Sequence, residues 1–459
     1  MTSPLHVVVL AAGQGTRMKS RLPKVLHPLA GKPMLGHVLD TARALSAAAR
    51  HVVHGHGASL LREWFERAHP GDASVRWVLQ AEQKGTAHAL AQALPQVPDD
   101  ARVLVLYADV PLVRADTLRP LLESPGLALL TAELPDPHGY GRVLRNKAGR
   151  VTGVVEEKDA SAAQRRIREV NTGFLAAPAR ALKRWLPKVG SANAKGEFYL
   201  TDVVALAVKD RVKVAAHPVE AFAEVQGVND PLQLATAERA FQRRQAGALM
   251  LAGLSIRDPA RFDLRGTVSF GADVVLDVGV VLEGAVELGD GVQVGPYTVL
   301  RDVRLGAGTR VESHSALESM RAGRDCRIGP FARIRPGTEL ADAVHIGNFV
   351  EVKKTTLGRG SKANHLAYLG DGTVGADVNV GAGTIFCNYD GASKHRTVLE
   401  DEVFVGSDTQ LVAPVRVGRG ATIAAGSTIT RDVPPGGLAV CRAKEQKHFP
   451  GWRRPRKKG

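Results

Sequence analysis

The stretch "LEGAVELGDGVQVGPYTVL", residues 282–300, sets Leu282, Leu288, Val294 and Leu300 six residues apart, with glycine directly after Leu288 and Val294. A period of six is neither the 2 of a strand nor the 3.6 of an amphipathic helix. The spacing returns at Ile328, Ile334, Leu340, Ile346 and Val352, and again at Val405, Leu411, Val417, Ile423 and Ile429. Glycine also follows Ile328, Ile346, Leu357, Val374, Val405 and Val417. This is the mark of a hexapeptide-repeat parallel β-helix. Each hexad gives one short strand and one corner of a triangular coil, with the aliphatic residue inside and the small residue at the bend. The period fails between Ile385 and Val405, so "FCNYDGASKHRTVLEDEVF" (386–404) is expected to leave the coil, and such excursions tend to carry binding residues. "KANHLAYLGD" (362–371), with His365 and Tyr368, reads as a second interruption.

Before about residue 265 the pattern is different. "HVVVLAAG" (6–13), "HVVHGHG" (51–57) and "RVLVLYADVPL" (102–112) read as buried strands, and "MLGHVLDTARALSA" (34–47) and "TAHALAQALP" (86–95) as helices. That alternation predicts an α/β, doubly wound, Rossmann-like domain with a mostly parallel sheet. From Asn229 to Gly253 an Asn-Asp-Pro start, strong helix formers and a closing glycine predict one long linking helix. The expected division is residues 1–229, a linker helix at 230–253, and the β-helix with a basic tail at 254–459.

Composition fits these expectations. Aromatic residues make up 5% of the 459, while Gly reaches 48, which suits tight turns better than helical bundles. Cys326, Cys387 and Cys441 form no C-x-x-C pair, so neither a disulfide framework nor a zinc site is indicated, and a reducing compartment is expected. The opening "MTSPLHVVVLAAG" has no basic leader, and its apolar run is too short to span a bilayer, so a soluble, cytoplasmic protein with no membrane partner is expected. Of the net charge of +15, the last eighteen residues carry eight Lys or Arg and one acid, hence +7. A nucleic-acid tail is one reading of that segment. A solvated tail, or one closing over a phosphorylated cofactor, is the preferred reading.

One motif carries chemistry before any likeness is considered. "LAAGQGTRMKSRLPK" (10–24) starts as G-x-G-x-x-G but has Met18 where the third glycine belongs, which argues against a dinucleotide fingerprint, and no G-K-[ST] closes it as a Walker loop. What remains is a glycine-rich turn after a buried strand, with backbone N–H groups that can face phosphates and with Arg17 and Lys24 to neutralise them. An ordinary strand-to-helix turn with solvated cations has the same composition.

Continued to "LAAGQGTRMKSRLPKVLHPLAGKPM" (10–34), the turn resembles the signature of sugar-1-phosphate nucleotidyltransferases. Joined to a hexapeptide β-helix, the chain from about Val7 to Lys458 resembles the bifunctional bacterial enzymes that make UDP-N-acetylglucosamine, a precursor of peptidoglycan and lipopolysaccharide. In that family an N-acetylglucosamine-1-phosphate uridyltransferase is fused to a glucosamine-1-phosphate N-acetyltransferase. The resemblance implies that UTP lies along Leu10, Ala11, Ala12 and Gly13, with Arg17 and Lys24 on its phosphates. Gln80 would read the uracil, with Gly85 and Thr86 beside it. Tyr107, Ala108 and Asp109 ("YAD") end a strand where α/β sheets bind ligands. Asp109 and Asn229 are the implied ligands of Mg²⁺, a hard ion that suits oxygen donors. Ala108 departs from the glycine expected there. Gly141, Glu156 and Asn171 match the sugar-binding positions.

In the β-helix the resemblance makes His365 the general base and gives Arg335, Lys353, Tyr368 and Asn379 to the sugar phosphate. It sets acetyl-CoA along Ala382, Asn388, Tyr389, Ser407, Ala425 and Arg442. The chemistry needs such a base, because a protonated amine cannot attack a thioester, and an imidazole of ordinary pKa near ~6.5 can take the proton. No covalent acetyl-enzyme is expected from the three cysteines. The resemblance also implies trimers with the acetyl site between neighbouring coils. Two other readings are a single-activity sugar nucleotidyltransferase with a structural β-helix, and a binding scaffold with a nucleic-acid tail. The cluster at residues 353–389 speaks against the first of these and the amino-terminal motif against the second.

Overall fold

The computed structural model describes residues 3–13, 15–55, 57–442, 448 and 450. The basic tail beyond Arg442 therefore lies almost wholly outside the described residues. The chain forms two compact units, one up to Phe241 and one from Gln242.

The first unit is built on β1 (Leu5–Leu10), β2 (Ala49–His54), β3 (Val75–Leu79), β4 (Arg102–Tyr107), β5 (Leu127–Glu133), β6 (Gly141–Arg145), β7 (Val151–Val155), β8 (Glu169–Pro178) and β9 (Val214–Pro218). The main sheet runs β9-β5-β8-β4-β1-β2-β3, with β6 and β7 as a hairpin on β8. β1 pairs in parallel with both β2 and β4, while β8 runs antiparallel between β4 and β5. Val7, Val8 and Val9 have no exposed surface, because a strand between two neighbours with both faces covered must be apolar throughout. The chain leaves β1 to build β2 and β3 on one side, then returns to lay β4 on the other. Strand order thus reverses between β1 and β4, and ligands bind at the carboxyl ends of such a pair.

The strand expected at 102–112 stops at Tyr107, where the Val110 N–H turns back to the Tyr107 carbonyl. That early stop leaves Asp109 in the loop over the sheet. The helix expected at 34–47 covers Met34–Ala44, and that at 86–95 covers Thr86–Ala93.

The linking helix spans Pro231–Leu251. Pro231 suits the first helical position, Asp230 accepts the Gln233 N–H at 2.8 Å, and the Gln233 side chain accepts the Asn229 N–H at 2.7 Å. These bonds fix Asn229, two residues ahead of the first helical residue. The helix stops where Gly253 takes a left-handed φ of 106° and the Leu254 N–H reaches the Leu249 carbonyl.

The second unit is a parallel β-helix. Leu282 pairs with Leu300, then Leu317, Ile334, Val352 and Leu369, at steps of 17 or 18 residues, so three hexads make one rung. These side chains stack in one buried file. Two sequence expectations need correction here. "KANHLAYLGD" does not interrupt the coil: Lys362–His365 and Tyr368–Gly370 are ordinary coil strands, with Ala363 and Leu369 filling interior positions six apart. Ala363 hid the period because a methyl group does the work of a larger aliphatic. The excursion is also shorter than 386–404. Phe386 is fully buried in the coil, and strand Thr397–Leu399 resumes it, so the loop is 388–396.

Candidate functional site

In the first unit a pocket of about 250 Å³ opens at the reversal point, lined by Leu10, Ala11, Ala12, Gly13, Lys24, Gln80, Gly85, Thr86, Tyr107 and Asp109. A second pocket of about 240 Å³ adjoins it and shares Thr86, Tyr107 and Glu197; Gly141, Glu156 and Asn171 lie in its wall. Residues as far apart in the chain as Leu10 and Asn171 are thereby gathered. Three expected residues line neither pocket, and one of them, Asn229, meets the site through the Lys24 ammonium. Ala108 is completely buried, with its N–H bound to the Leu10 carbonyl at 3.0 Å, so its methyl group is absorbed by the core. Arg17 is exposed on the short turn Thr16–Met18.

Two glycines are sterically required. Gly85 caps the amino end of Thr86–Ala93 at φ 113°, where a Cβ would stand 2.5 Å from the Phe198 carbonyl oxygen. Gly15 holds φ 64°, and a Cβ there would meet the Lys24 side chain at 2.5 Å. Glycine at 15 therefore lets Lys24 lie across the turn. The Lys24 ammonium reaches the Asp109 carboxylate at 2.5 Å and the Asn229 side-chain oxygen at 3.2 Å. One cation thus sits between the two oxygens expected to hold another.

The adjoining pocket is set for a polar ligand. The Asn171 side-chain oxygen and the Tyr199 hydroxyl are buried with no hydrogen-bond partner among the described residues. Such atoms cost about 1–3 kcal/mol each until a ligand or water meets them. Glu156 accepts the Thr201 hydroxyl at 3.0 Å, and burial pushes its carboxyl above the ordinary range. Burial, aided by Asp159 and Glu156, pushes the Tyr199 hydroxyl up to about 12. Tyr199, Thr201 and Glu197 come from "GEFYLTD" (196–202), which carries no pattern that singles it out.

The second unit holds another cluster. Arg335 and Lys353 occupy matching positions on successive rungs, Tyr368 stands beside them, and Arg335 pairs with Glu351 at 2.8 Å. Asn388 is buried at the root of the excursion and donates to Asp371 at 2.5 Å, with the Tyr368 hydroxyl at 3.5 Å. Asp371 also takes the Lys353 ammonium at 3.5 Å. The excursion brings in Lys394, which the sequence reading did not single out. It lies against Lys353; a hydrogen bond from Lys353, followed by that residue's charge, pushes the Lys394 amine below the usual lysine range, while Lys394 and Asp371 hold Lys353 up. Two lysine side chains facing one another with Arg335 nearby make an anion-binding arrangement.

His365 is exposed just before the coil corner at Leu366, and its Nδ1 lies 3.0 Å from the Asn348 side-chain oxygen one rung below. A carboxamide oxygen only accepts, so Nδ1 carries the proton of the neutral ring and Nε2 is left with the lone pair. No hydrogen bond joins His365 to the Lys353 cluster among the described residues. Asn379 pairs with Lys362 on the His365 side of the corner. Ala382, Ser407 and Ala425 form one file up successive rungs, and Arg442 lies beside its upper end. The Asp408 N–H meets the Ala382 carbonyl, the Gly426 N–H meets the Ser407 carbonyl, and Arg442 packs near Gly426. Tyr389 is exposed on the excursion, its hydroxyl bound to the Gly391 carbonyl.

Residues 7–166 match the MobA-like NTP transferase domain, and residues 396–431 match the bacterial transferase hexapeptide family. The chain is 62% identical over 457 residues to the bifunctional protein GlmU of Alkalilimnicola ehrlichii, covering 99% of this chain and 97% of that one. It is 57% identical to that of Stenotrophomonas maltophilia strain K279a over 100% of both chains. It is also 57% identical to that of Marinobacter nauticus, over 99% of this chain and all of the other. With more than half of its residues shared along its whole length, the chain belongs to the family of bifunctional GlmU proteins.

Proposed function

We propose a division of labour in which residues 1–229 carry uridylyl transfer, 230–253 link, and 254–459 carry acetyl transfer. The enzyme moves the acetyl group of acetyl-CoA to the amine of glucosamine-1-phosphate. It then joins the resulting N-acetylglucosamine-1-phosphate to UTP, giving UDP-N-acetylglucosamine and pyrophosphate. The observation that carries the reading is the pair of adjoining pockets at the β1/β4 reversal, one beside a cationic turn and one with orphaned polar atoms, on a chain that also holds the His365 and Lys353 clusters. Purified enzyme should release thiol from acetyl-CoA with glucosamine-1-phosphate, and pyrophosphate from UTP with N-acetylglucosamine-1-phosphate. A preparation with only the second activity would favour a structural β-helix.

In uridylyl transfer a sugar-phosphate oxygen forms its bond to the α-phosphorus as the bond to the pyrophosphate oxygen breaks, so no protein nucleophile is needed. UTP lies along Leu10–Gly13, with Gln80 facing the base and Gly85 and Thr86 beside it. Lys24 neutralises phosphate charge from within the pocket, and Arg17 does so from the rim. Asn171, Glu156, Gly141 and Tyr199 orient the sugar. Asp109 and Asn229 fit Mg²⁺: their oxygens converge within 3.2 Å of one ammonium, and one carboxylate plus one amide leaves most of the coordination to phosphate and water. Magnesium bound there supplies charge neutralisation for the phosphates.

In acetyl transfer, Arg335, Lys353 and Lys394 hold the sugar phosphate, with Tyr368 and Asn379 on the sugar. His365 takes the proton from the amine as nitrogen attacks the thioester carbonyl, and returns it to the departing thiolate. Acetyl-CoA runs along Ala382, Ser407, Ala425 and Arg442, with Asn388 and Tyr389 at its reactive end. Asn348→Ala should lower acetyl transfer about 10-fold at neutral pH, because losing the Nδ1 partner frees the ring to turn and take the other tautomer. A pH–rate profile checks this, and uridylyl transfer should not change.

The β-helix forms a homotrimer on the same reading. Tyr297, His314, Phe331 and Phe349 stack at centroid distances of 5.3, 4.9 and 5.3 Å along one corner. All four, with Leu366 beyond them, hold left-handed backbone angles. Tyr297, Phe331, Phe349 and Leu366 are about half exposed, an unusual amount of apolar surface for a solvated edge. A second copy covering this edge would sit beside His365 and bring it a neighbouring coil. Phe331→Glu with Phe349→Glu should shift the native mass to the monomer and abolish acetyl transfer while leaving uridylyl transfer within about twofold.

The described residues include no helix long and apolar enough to cross a membrane. Cytoplasmic residence fits this and the free cysteines.

A further inference from the structure

We propose that His88 is a specificity-positioning residue of the nucleotide pocket. By taking one amide hydrogen of Gln80 it fixes that carboxamide with its oxygen toward the base, so that the pocket selects a pyrimidine carrying hydrogen on N3. The inference rests on the reading of Gln80 as the residue that faces the base.

A carboxamide has nearly the same shape either way round, but one end only accepts hydrogen bonds and the other only donates. Which end meets a ligand is decided by what holds the opposite end. Gln80 follows β3, is 2% exposed and lines the nucleotide pocket. Its Nε2 lies 3.2 Å from the Gly85 carbonyl oxygen and 3.0 Å from His88 Nδ1. The Gly85 carbonyl can only accept, and it is fixed at the head of Thr86–Ala93, where it also takes the Ala89 N–H at 3.1 Å. Turning the amide round would press two oxygens together.

With its second hydrogen on His88, the amide nitrogen has nothing left to donate, and Oε1 has no partner among the described residues. The pocket therefore offers the base an acceptor and no donor from this side chain. Uracil and thymine meet it with N3–H. Cytosine presents a lone pair at N3 and is repelled, because a buried acceptor facing an acceptor leaves both unpaired. With Nδ1 accepting, the single hydrogen of the neutral ring is on Nε2. Gln92, one helical turn on, stands with its Nε2 3.2 Å from the ring's Nε2 and 3.2 Å from the His88 carbonyl oxygen, to which it donates. Without His88, one Gln80 hydrogen is left unpaired in a nearly sealed place, and rotation can hand it to a base that accepts at N3.

The test compares kcat/KM for UTP and CTP with the full-length enzyme, Mg²⁺ and saturating N-acetylglucosamine-1-phosphate. His88→Ala and His88→Phe, neither of which can accept at that position, should each reduce the UTP-over-CTP preference about 10- to 100-fold. Most of the loss should appear as a higher KM for UTP, with acetyl transfer unchanged. His88→Asn, whose Oδ1 stands close to where Nδ1 stood, should recover most of the preference. A merely structural role would lower both nucleotides alike and leave their ratio fixed. An unchanged ratio in whichever of the Ala and Phe variants keeps the wild-type melting temperature overturns the proposal. If Gln80→Ala moves the ratio and the His88 variants do not, only the His88 inference fails. If Gln80→Ala also leaves it unmoved, the reading of Gln80 itself falls.

Discussion

Lys24→Ala is expected to cut UTP-dependent pyrophosphate release by about 10²–10³-fold, in line with the loss of one preorganised charge partner from a phosphoryl-transfer site. The side chain is only 10% exposed and lies between Asp109 and Asn229. In the substrate-free enzyme its ammonium balances Asp109. Once phosphates enter, the same ammonium is the positive charge nearest to them from the pocket floor. Alanine removes both services, so KM for UTP should rise as kcat falls. Lys24→Arg should restore little, because a broad, planar guanidinium does not reproduce a compact ammonium held between Asp109 and Asn229. Acetyl-CoA-dependent thiol release should stay within about twofold of wild type, since its groups lie in the other compact unit.

His365→Ala is expected to do the converse. Thiol release should fall by about 10²–10⁴-fold, the range for a positioned general base, while pyrophosphate release is untouched. The pH dependence separates base catalysis from a binding role. With the imidazole gone, only solvent can deprotonate the amine, so the residual rate should climb with pH beyond the point where the wild-type rate levels off. A binding role would lower the rate by the same factor at every pH. Because the ring is exposed and, among the described residues, hydrogen-bonded through Asn348 alone, its removal opens no cavity in the core, and the melting temperature should be nearly unchanged.

Much of this was legible before any coordinates. A six-residue period can be met only by a coil with three short strands per rung, and Leu282, Leu300, Leu317 and Ile334 stack as that period demands. The nucleotide pocket was legible through the resemblance of residues 10–34 to the nucleotidyltransferase signature, because the glycine-rich turn alone fits an ordinary strand-to-helix turn equally well. Where the period weakens, the sequence misled. Ala363 kept the coil running through "KANHLAYLGD" although no large aliphatic marked it, and Phe386 is an interior residue where an excursion was expected. Partners one rung apart were also hidden. Asn348 lies 17 residues from His365 and Asp371 lies 17 from Asn388, and nothing local ties such pairs together. Lys394 was unremarkable as one cation in a polar loop, and only the fold of residues 388–396 turns it onto Lys353. Tyr199 and Thr201 meet Asn171 and Glu156 through the sheet and the helix after it, a proximity that no spacing encodes.

Two chemically unrelated centres that work independently on one polypeptide should separate cleanly in a crossed assay of two variants. Pyrophosphate release and thiol release are measured on Lys24→Ala and on His365→Ala from matched preparations. Each variant should lose one activity by at least about a hundredfold and keep the other. Loss of both activities together in either folded variant, or undiminished acetylation without the imidazole, would contradict this.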